Sequence, residues 1–170
     1  MKISIVVSVS DNNAIGAEGT LIWRLPKDME YIKKVTMGHY VLMGRKTWDS
    51  IPAKFRPLPG RVNIIVTRQK DFKANGAVIA KSLEEGIELA KNAGEKELMI
   101  IGGGEIYKHA FAQTDKIYLT KVHATFIDAD AFAPHISDTD WKIISTESHH
   151  ADEKHQYEGD FLVLYRKSKL

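Results

Sequence analysis

Met99-Ile100-Ile101-Gly102-Gly103-Gly104-Glu105-Ile106-Tyr107 is a short apolar run that ends in three glycines and passes into a helical pattern. It reads as a buried strand meeting a helix N-terminus through backbone that carries no side chains. Free N–H groups at such a junction bind phosphates. Tyr107 stands at the last position of a would-be G-x-G-x-x-G, so the standard dinucleotide fingerprint is absent. A tight turn with no ligand is the alternative. The same order of strand, glycine and helix start recurs in Val41-Leu42-Met43-Gly44-Arg45-Lys46-Thr47-Trp48, now with two cations and a hydroxyl at the turn. Thr67-Arg68 closes the run Val62–Val66 in similar fashion. Three strand ends therefore offer anion contacts, unless these cations belong simply to a solvated surface.

Outward from these junctions, strand-like and helix-like stretches alternate. Strands are expected at 3–9, 40–43, 62–67, 77–80 and 97–101, with helices at 26–36, 46–51, 83–93 and 105–112. This order predicts an α/β fold with a mostly parallel sheet and helices flanking it. The helix after Ser82 has the clearest boundaries, with Glu85 completing a capping box and Gly94 stopping it. Beyond Lys116–Val122 the pattern changes, because 141–147 and 161–166 read as long strands with no helix between them. They predict an antiparallel hairpin at one sheet edge.

At 170 residues and 19.1 kDa, the chain fits one domain spanning 1–170. Its 44% hydrophobic and 27% charged residues suit a folded globular protein and exclude intrinsic disorder. The net charge of +2 argues against a dedicated nucleic-acid or membrane-surface binder. With no cysteine, disulfides, thiolate metal sites and thiol nucleophiles are excluded. The apolar run at the N-terminus is far shorter than the roughly 20 residues of a membrane span and lacks a signal-peptide pattern. A cytoplasmic, monomeric protein is expected.

Residues 10–24, with Asp11, Asn12, Asn13, Gly16 and Gly19, show no period and read as a long loop. A loop of that length either covers an active site or is a passive connection. In the helix that follows, Leu25, Met29, Ile32 and Val35 share one arc, and Asp28 falls inside it. An isolated carboxylate there is costly without partners. It either bonds free amides of the first helical turn or receives a planar ligand with adjacent N–H donors. Arg56-Pro57-Leu58-Pro59-Gly60-Arg61 is a proline-braced turn whose last arginine could meet a carboxylate with its planar fork. The cluster His149, His150 and His155 has no zinc spacing and reads as a solvated hairpin loop. No nucleophile elbow, Walker motif or HExxH is present, which points away from covalent or metal-assisted chemistry.

Taken in order, Ile15-Gly16, Leu21-x-Trp23, Leu25-Pro26-x-Asp28, Met43-Gly44-Arg45-x-Thr47-Trp48, Pro57-Leu58-Pro59-Gly60-Arg61, Ile101-Gly102-Gly103-Gly104 and Tyr118-Leu119-Thr120 resemble the dihydrofolate reductases over nearly the whole chain. The resemblance implies an eight-stranded, mostly parallel sheet with an antiparallel C-terminal edge. It implies reduction of 7,8-dihydrofolate by hydride transfer from NADPH, with antifolates as inhibitors. Asp28 would hold the pterin and support protonation of its imine nitrogen, and Trp23 and Leu21 would complete the catalytic set. Val6, Val7, Met29, Ile32, Ile51, Leu58 and Ile101 would wall the pterin, Thr120 would share its contact, and Arg61 would take the carboxylate of the folate tail.

On the cofactor side the resemblance implies Arg45, Thr47, Thr67 and Arg68 for phosphates, with Lys46 and Lys81 also at the cofactor. Gly44, Gly102, Gly103 and Gly104 would provide close backbone approach, with a cis peptide between Gly102 and Gly103. Ser8, Ile15, Gly16, Glu105, Ile106 and Tyr107 would line the remainder. Asp130 would bond loop 10–24 shut. Three positions depart from the family pattern: Ile22 stands where Leu-Pro-Trp is usual, Glu105 where some relatives carry arginine, and Gln156 at a hairpin site that locks an alternative loop state in some relatives. Two other functions compete, a related reductase of a ribosylated pyrimidine and a non-catalytic nucleotide-binding module.

Overall fold

Lys2–Ser10 forms β1, whose last eight residues are all buried. A central parallel strand covered on both faces needs apolar residues at successive positions, and the sequence supplies them. The computed structural model describes residues 1–16, 26–152 and 157–169. Ala14–Gly16 forms β2, and Pro26–Thr36 forms α1, followed by β3 (Tyr40–Gly44) and α2 (Arg45–Ser50). Then come β4 (Val62–Val66), β5 (Val78–Ala80), α3 (Leu83–Asn92), β6 (Glu97–Gly102) and α4 (Gly104–Ala110). β7 (Lys116–Val122), β8 (Ala131–Phe132), β9 (Trp141–His149) and β10 (Gly159–Arg166) complete the order.

The main sheet has eight strands in the order β5-β4-β3-β6-β1-β7-β10-β9. β5 through β7 pair in parallel, while β10 runs antiparallel to both β7 and β9. The expected architecture is therefore present, and the element boundaries lie within a residue or two of those read from the sequence. One part differs. Loop 10–24 was expected to be irregular, yet β2 lies inside it and pairs with β8 as a separate two-stranded sheet. Strands of two and three residues are too short to leave an alternating pattern.

Side-chain alternation sorts β1 between two cores. Ile3, Ile5, Val7 and Val9 join Leu42, Ile64, Leu98, Ile100 and Ile117 on the face that packs Leu83 and Ala90 of α3 and Tyr107 and Ala110 of α4. Val6 joins Val41, Met43, Ile65 and Met99 on the other face, which packs Ile32 and Val35 of α1 and Trp48 of α2. The remaining even positions, Ser4, Ser8 and Ser10, are buried hydroxyls on that second face. Each donates to a side chain: Ser4 to Glu97, Ser8 to Asp28 and Ser10 to Asn12. β6 lies between β1 and β3, and the register of β3 on β6 shifts so that Met43 pairs with Gly102. Ile101 is the extra residue at the shift. The crevice beyond the carboxyl ends of β3, β6 and β1 is where ligands bind in open α/β sheets.

Candidate active site

Asp28 is the third residue of α1 and is only 4% exposed. Its carboxylate is turned toward β1, where Ser8 Oγ donates to Asp28 Oδ2 at 2.6 Å. Oδ1 is buried with no hydrogen-bond partner among the described residues. Burial pushes the carboxyl above its usual range, opposed by the Ser8 and Thr120 hydroxyls and by the charge of His149. Of the two roles open to this residue, the bonding of helix amides is not observed among the described residues. Ser8 and Thr120 are register partners on β1 and β7, so their hydroxyls lie side by side opposite the first turn of α1. Tyr31 of α1 stacks on Phe161 of β10 at 4.4 Å, and Phe161 pairs with Thr120. A buried oxygen with no partner is expensive, and a ligand N–H is the group that would satisfy it.

The glycine turn closes β6, the strand next to β1 in the sheet. The peptide between Gly102 and Gly103 is cis, as the resemblance implies. Gly102 has φ +123, and a Cβ there would meet the Tyr107 hydroxyl at 3.1 Å. A Cβ on Gly103 would lie 3.4 Å from Thr47 Oγ1, and one on Gly44 would lie 3.2 Å from Ile106 Cγ1. The two strand-to-helix junctions therefore touch each other. Ile15 Cδ1 and the Phe132 carbonyl come within 4.0 Å of a Cβ position on Gly104, so the β2–β8 ribbon roofs the turn. Thr67 is buried, with Oγ1 accepting from Gln69 N, while Lys46, Arg68, Lys81 and Glu105 are exposed. Arg45 pairs with Asp49 one helical turn on, at 2.8 Å.

At the end of α1 opposite Asp28, Arg61 is held in place by its own surroundings. Nε donates to the Pro59 carbonyl at 3.0 Å and Nη1 to Thr36 Oγ1 at 3.1 Å. Thr36 is buried and in turn donates to the Ile32 carbonyl. Burial disfavours the Arg61 charge. The guanidinium is oriented and lacks a carboxylate among the described residues, which suits it to an anionic ligand group.

Two expectations need correction, Val7 as a side-chain wall and His149 as a solvated residue. Val7 cannot wall a pterin with its side chain, because the period-2 alternation of β1 puts it in the core on the opposite face. Ser8, expected at the cofactor, gives its hydroxyl proton to Asp28. Tyr107 donates to the Val6 carbonyl at 2.8 Å, so its phenol supports the glycine turn from below. Met29 is 52% exposed, while Ile32, Ile51, Leu58 and Ile101 are partly buried around the core that includes Val6. His149 was read as solvated but is buried and packs on Phe161 at 5.5 Å. Its register partner is Gly159, where a Cβ would come 2.7 Å from His149 Nε2. That glycine was the available signal. Arg56, given no role from sequence, caps the end of α2 by donating to the Trp48 and Ile51 carbonyls. Leu21, Ile22, Trp23, His155 and Gln156 lie outside the described residues, as does any contact of Asp130 with residues 17–25. No group of three or more metal-ligating side chains occurs among the described residues.

The sequence matches the dihydrofolate reductase family model over residues 2–166. Dihydrofolate reductase of Bacillus subtilis is 37% identical over 166 residues, covering 98% of this chain and 95% of that one. The enzyme of Haemophilus influenzae is 38% identical over 98% of this chain and 100% of its own. A solved structure of Enterococcus faecalis dihydrofolate reductase, complexed with NADP(H) and RAB-propyl, superimposes with a TM-score of 0.85. It is 30% identical and covers 98% of this chain and 96% of that one. With a family match over nearly the whole chain and relatives 37–38% identical across 98% of it, the chain belongs to the dihydrofolate reductase family.

Proposed function

We propose that this chain reduces 7,8-dihydrofolate to 5,6,7,8-tetrahydrofolate with NADPH as the electron donor. The observation that carries the reading is Asp28, a buried carboxylate with one oxygen bonded by Ser8 and the other without a partner. A pterin offers a ring N–H beside an exocyclic amine, a pair of donors that a carboxylate receives in two parallel bonds. An anion there favours positive charge on the ring and so supports protonation of the imine nitrogen, while the buried surroundings strengthen that attraction.

The residues present fit the cofactor. The Gly44 and Gly103 positions are gaps at which a side chain would crowd Ile106 or Thr47, and they flank two helix starts. Gly44, Thr47 and the 102–104 turn would hold the pyrophosphate, and Thr67, Arg68 and Lys81 would hold the 2′-phosphate. When bound, NADPH supplies the hydride that is added to the carbon next to the protonated nitrogen. The chain's own contribution is placement: Asp28 fixes the pterin edge, Val6, Ile32, Ile51, Leu58 and Ile101 pack its faces, and Arg61 anchors the tail carboxylate. By the family resemblance, Leu21 and Trp23 would complete the catalytic set. We take residues 1–170 as one catalytic domain, acting as a monomer in the cytoplasm.

Mixing the purified protein with NADPH and dihydrofolate tests the reading. Loss of the reduced-nicotinamide absorbance that requires dihydrofolate and is blocked by an antifolate is expected. A flat trace from folded protein overturns it.

A further inference from the structure

We propose that Ser8 is a positioning residue for this reaction, its hydroxyl fixing the Asp28 carboxylate so that Oδ1 is the oxygen left for the ligand. The inference deepens the function proposed above and rests on it. Four observations converge on Ser8. It lies between Val7 and Val9 in β1, and it is buried. It faces α1, and its register partner is Thr120. Its Oγ lies 2.6 Å from Asp28 Oδ2, in the short range for a hydroxyl donating to an ionised oxygen. Asp28 Oδ1 has no such donor among the described residues.

The carboxyl torsion of an aspartate is broad, so an untethered group would sample many orientations. One hydrogen bond to one oxygen removes that freedom. A hydroxyl has a single proton to give, and here it goes to Asp28. The bond has a second effect, because it favours the anion where burial opposes it. The other ionisable groups facing Asp28 are His149 on β9, Tyr31 on α1 and Tyr107 on α4. His149 acts through its charge, and Tyr107 donates instead to the Val6 carbonyl. None of the three replaces the Ser8 bond, and the Thr120 hydroxyl favours the anion alongside it.

The test follows the Asp28 carboxyl by carbon NMR of aspartate-labelled, ligand-free protein through a pH titration, beside kcat/KM for dihydrofolate. In Ser8→Ala the Asp28 midpoint is expected to move up, kcat/KM to fall about tenfold, as for loss of a hydrogen bond to a charged group, and NADPH affinity to stay within about twofold of the parent. Ser8→Thr, which keeps the hydroxyl, is expected to restore both the midpoint and kcat/KM. If Ser8→Ala does not fold, Ser8→Cys, close in volume but a weak donor, carries the same prediction. An unchanged Asp28 midpoint together with unchanged kcat/KM overturns the role of Ser8. Asp28→Asn separates the two claims. An inactive Asp28→Asn beside a normal Ser8→Ala removes Ser8 alone, whereas full turnover in Asp28→Asn removes the catalytic reading.

Discussion

On the proposed cofactor side of the crevice the chain offers mainly backbone: glycines at 44 and 102–104, two helix starts, and cations that are exposed or already paired, as Arg45 is with Asp49. On the substrate side it offers two individually fixed side chains, Asp28 held by Ser8 and Arg61 held by Pro59 and Thr36. A backbone cradle spreads recognition over many N–H groups, so the loss of one side chain is diluted. A side-chain site concentrates recognition, so one atom decides the outcome. The contrast orders the effects expected from mutation.

The largest effect falls on the concentrated side. Asp28→Asn is expected to lower turnover at neutral pH by about 100-fold or more, the scale of a lost catalytic acid-base group. Its NADPH affinity by titration should stay within about twofold. Parallel losses of both would erase the distinction between the two sides. Gly103→Ala probes the cradle: the new Cβ sits 3.4 Å from Thr47 Oγ1, a contact the ligand-free protein can take. The melting temperature should hold while NADPH affinity drops about tenfold, about 1.4 kcal/mol. Next comes Arg61→Lys, which keeps the charge but loses the fork. Its KM for dihydrofolate is expected to rise by about tenfold with kcat near the parent value. The smallest change in function belongs to Gly86→Ala, a buried position of α3 that faces the core. A Cβ there meets Leu42 Cδ1 at 2.6 Å, so denaturant melts should show a loss of about 1–3 kcal/mol with unchanged KM values.

Much of this division was legible in the sequence. Strand-to-helix alternation around Gly44 and Gly102 gave the parallel sheet, and the amphipathic arc of α1 singled out Asp28, because both are periodic signals. What was not legible depends on which face of a strand a residue occupies once the sheet is assembled. Val7 and Ser8 are adjacent in sequence, yet one joins the core beneath α4 and the other holds the carboxylate. His149 sits on an edge strand whose preceding seven residues are exposed, and only the pairing with Gly159 brings its ring inside. The β2–β8 ribbon that roofs the glycine turn pairs residues more than a hundred positions apart, and neither strand is long enough to announce itself.

The account rests on a carboxylate kept buried for a ligand, at a cost to the empty protein. Burial raises its folded pKa above the ordinary carboxyl value of 3.8, so folding favours the protonated form. Stability from this group is therefore present below that value and is lost as pH rises through the folded midpoint. The most direct measurement compares melting temperatures of the ligand-free parent and Asp28→Asn from neutral to acid pH. The variant is predicted to melt about 2–4 °C higher at neutral pH, the scale of about 1 kcal/mol in a protein of this size. The gap should close as the parent carboxyl protonates. A variant that melts lower than the parent at neutral pH, with the gap narrowing in acid, would mean that the carboxylate is satisfied without a ligand, contrary to this account.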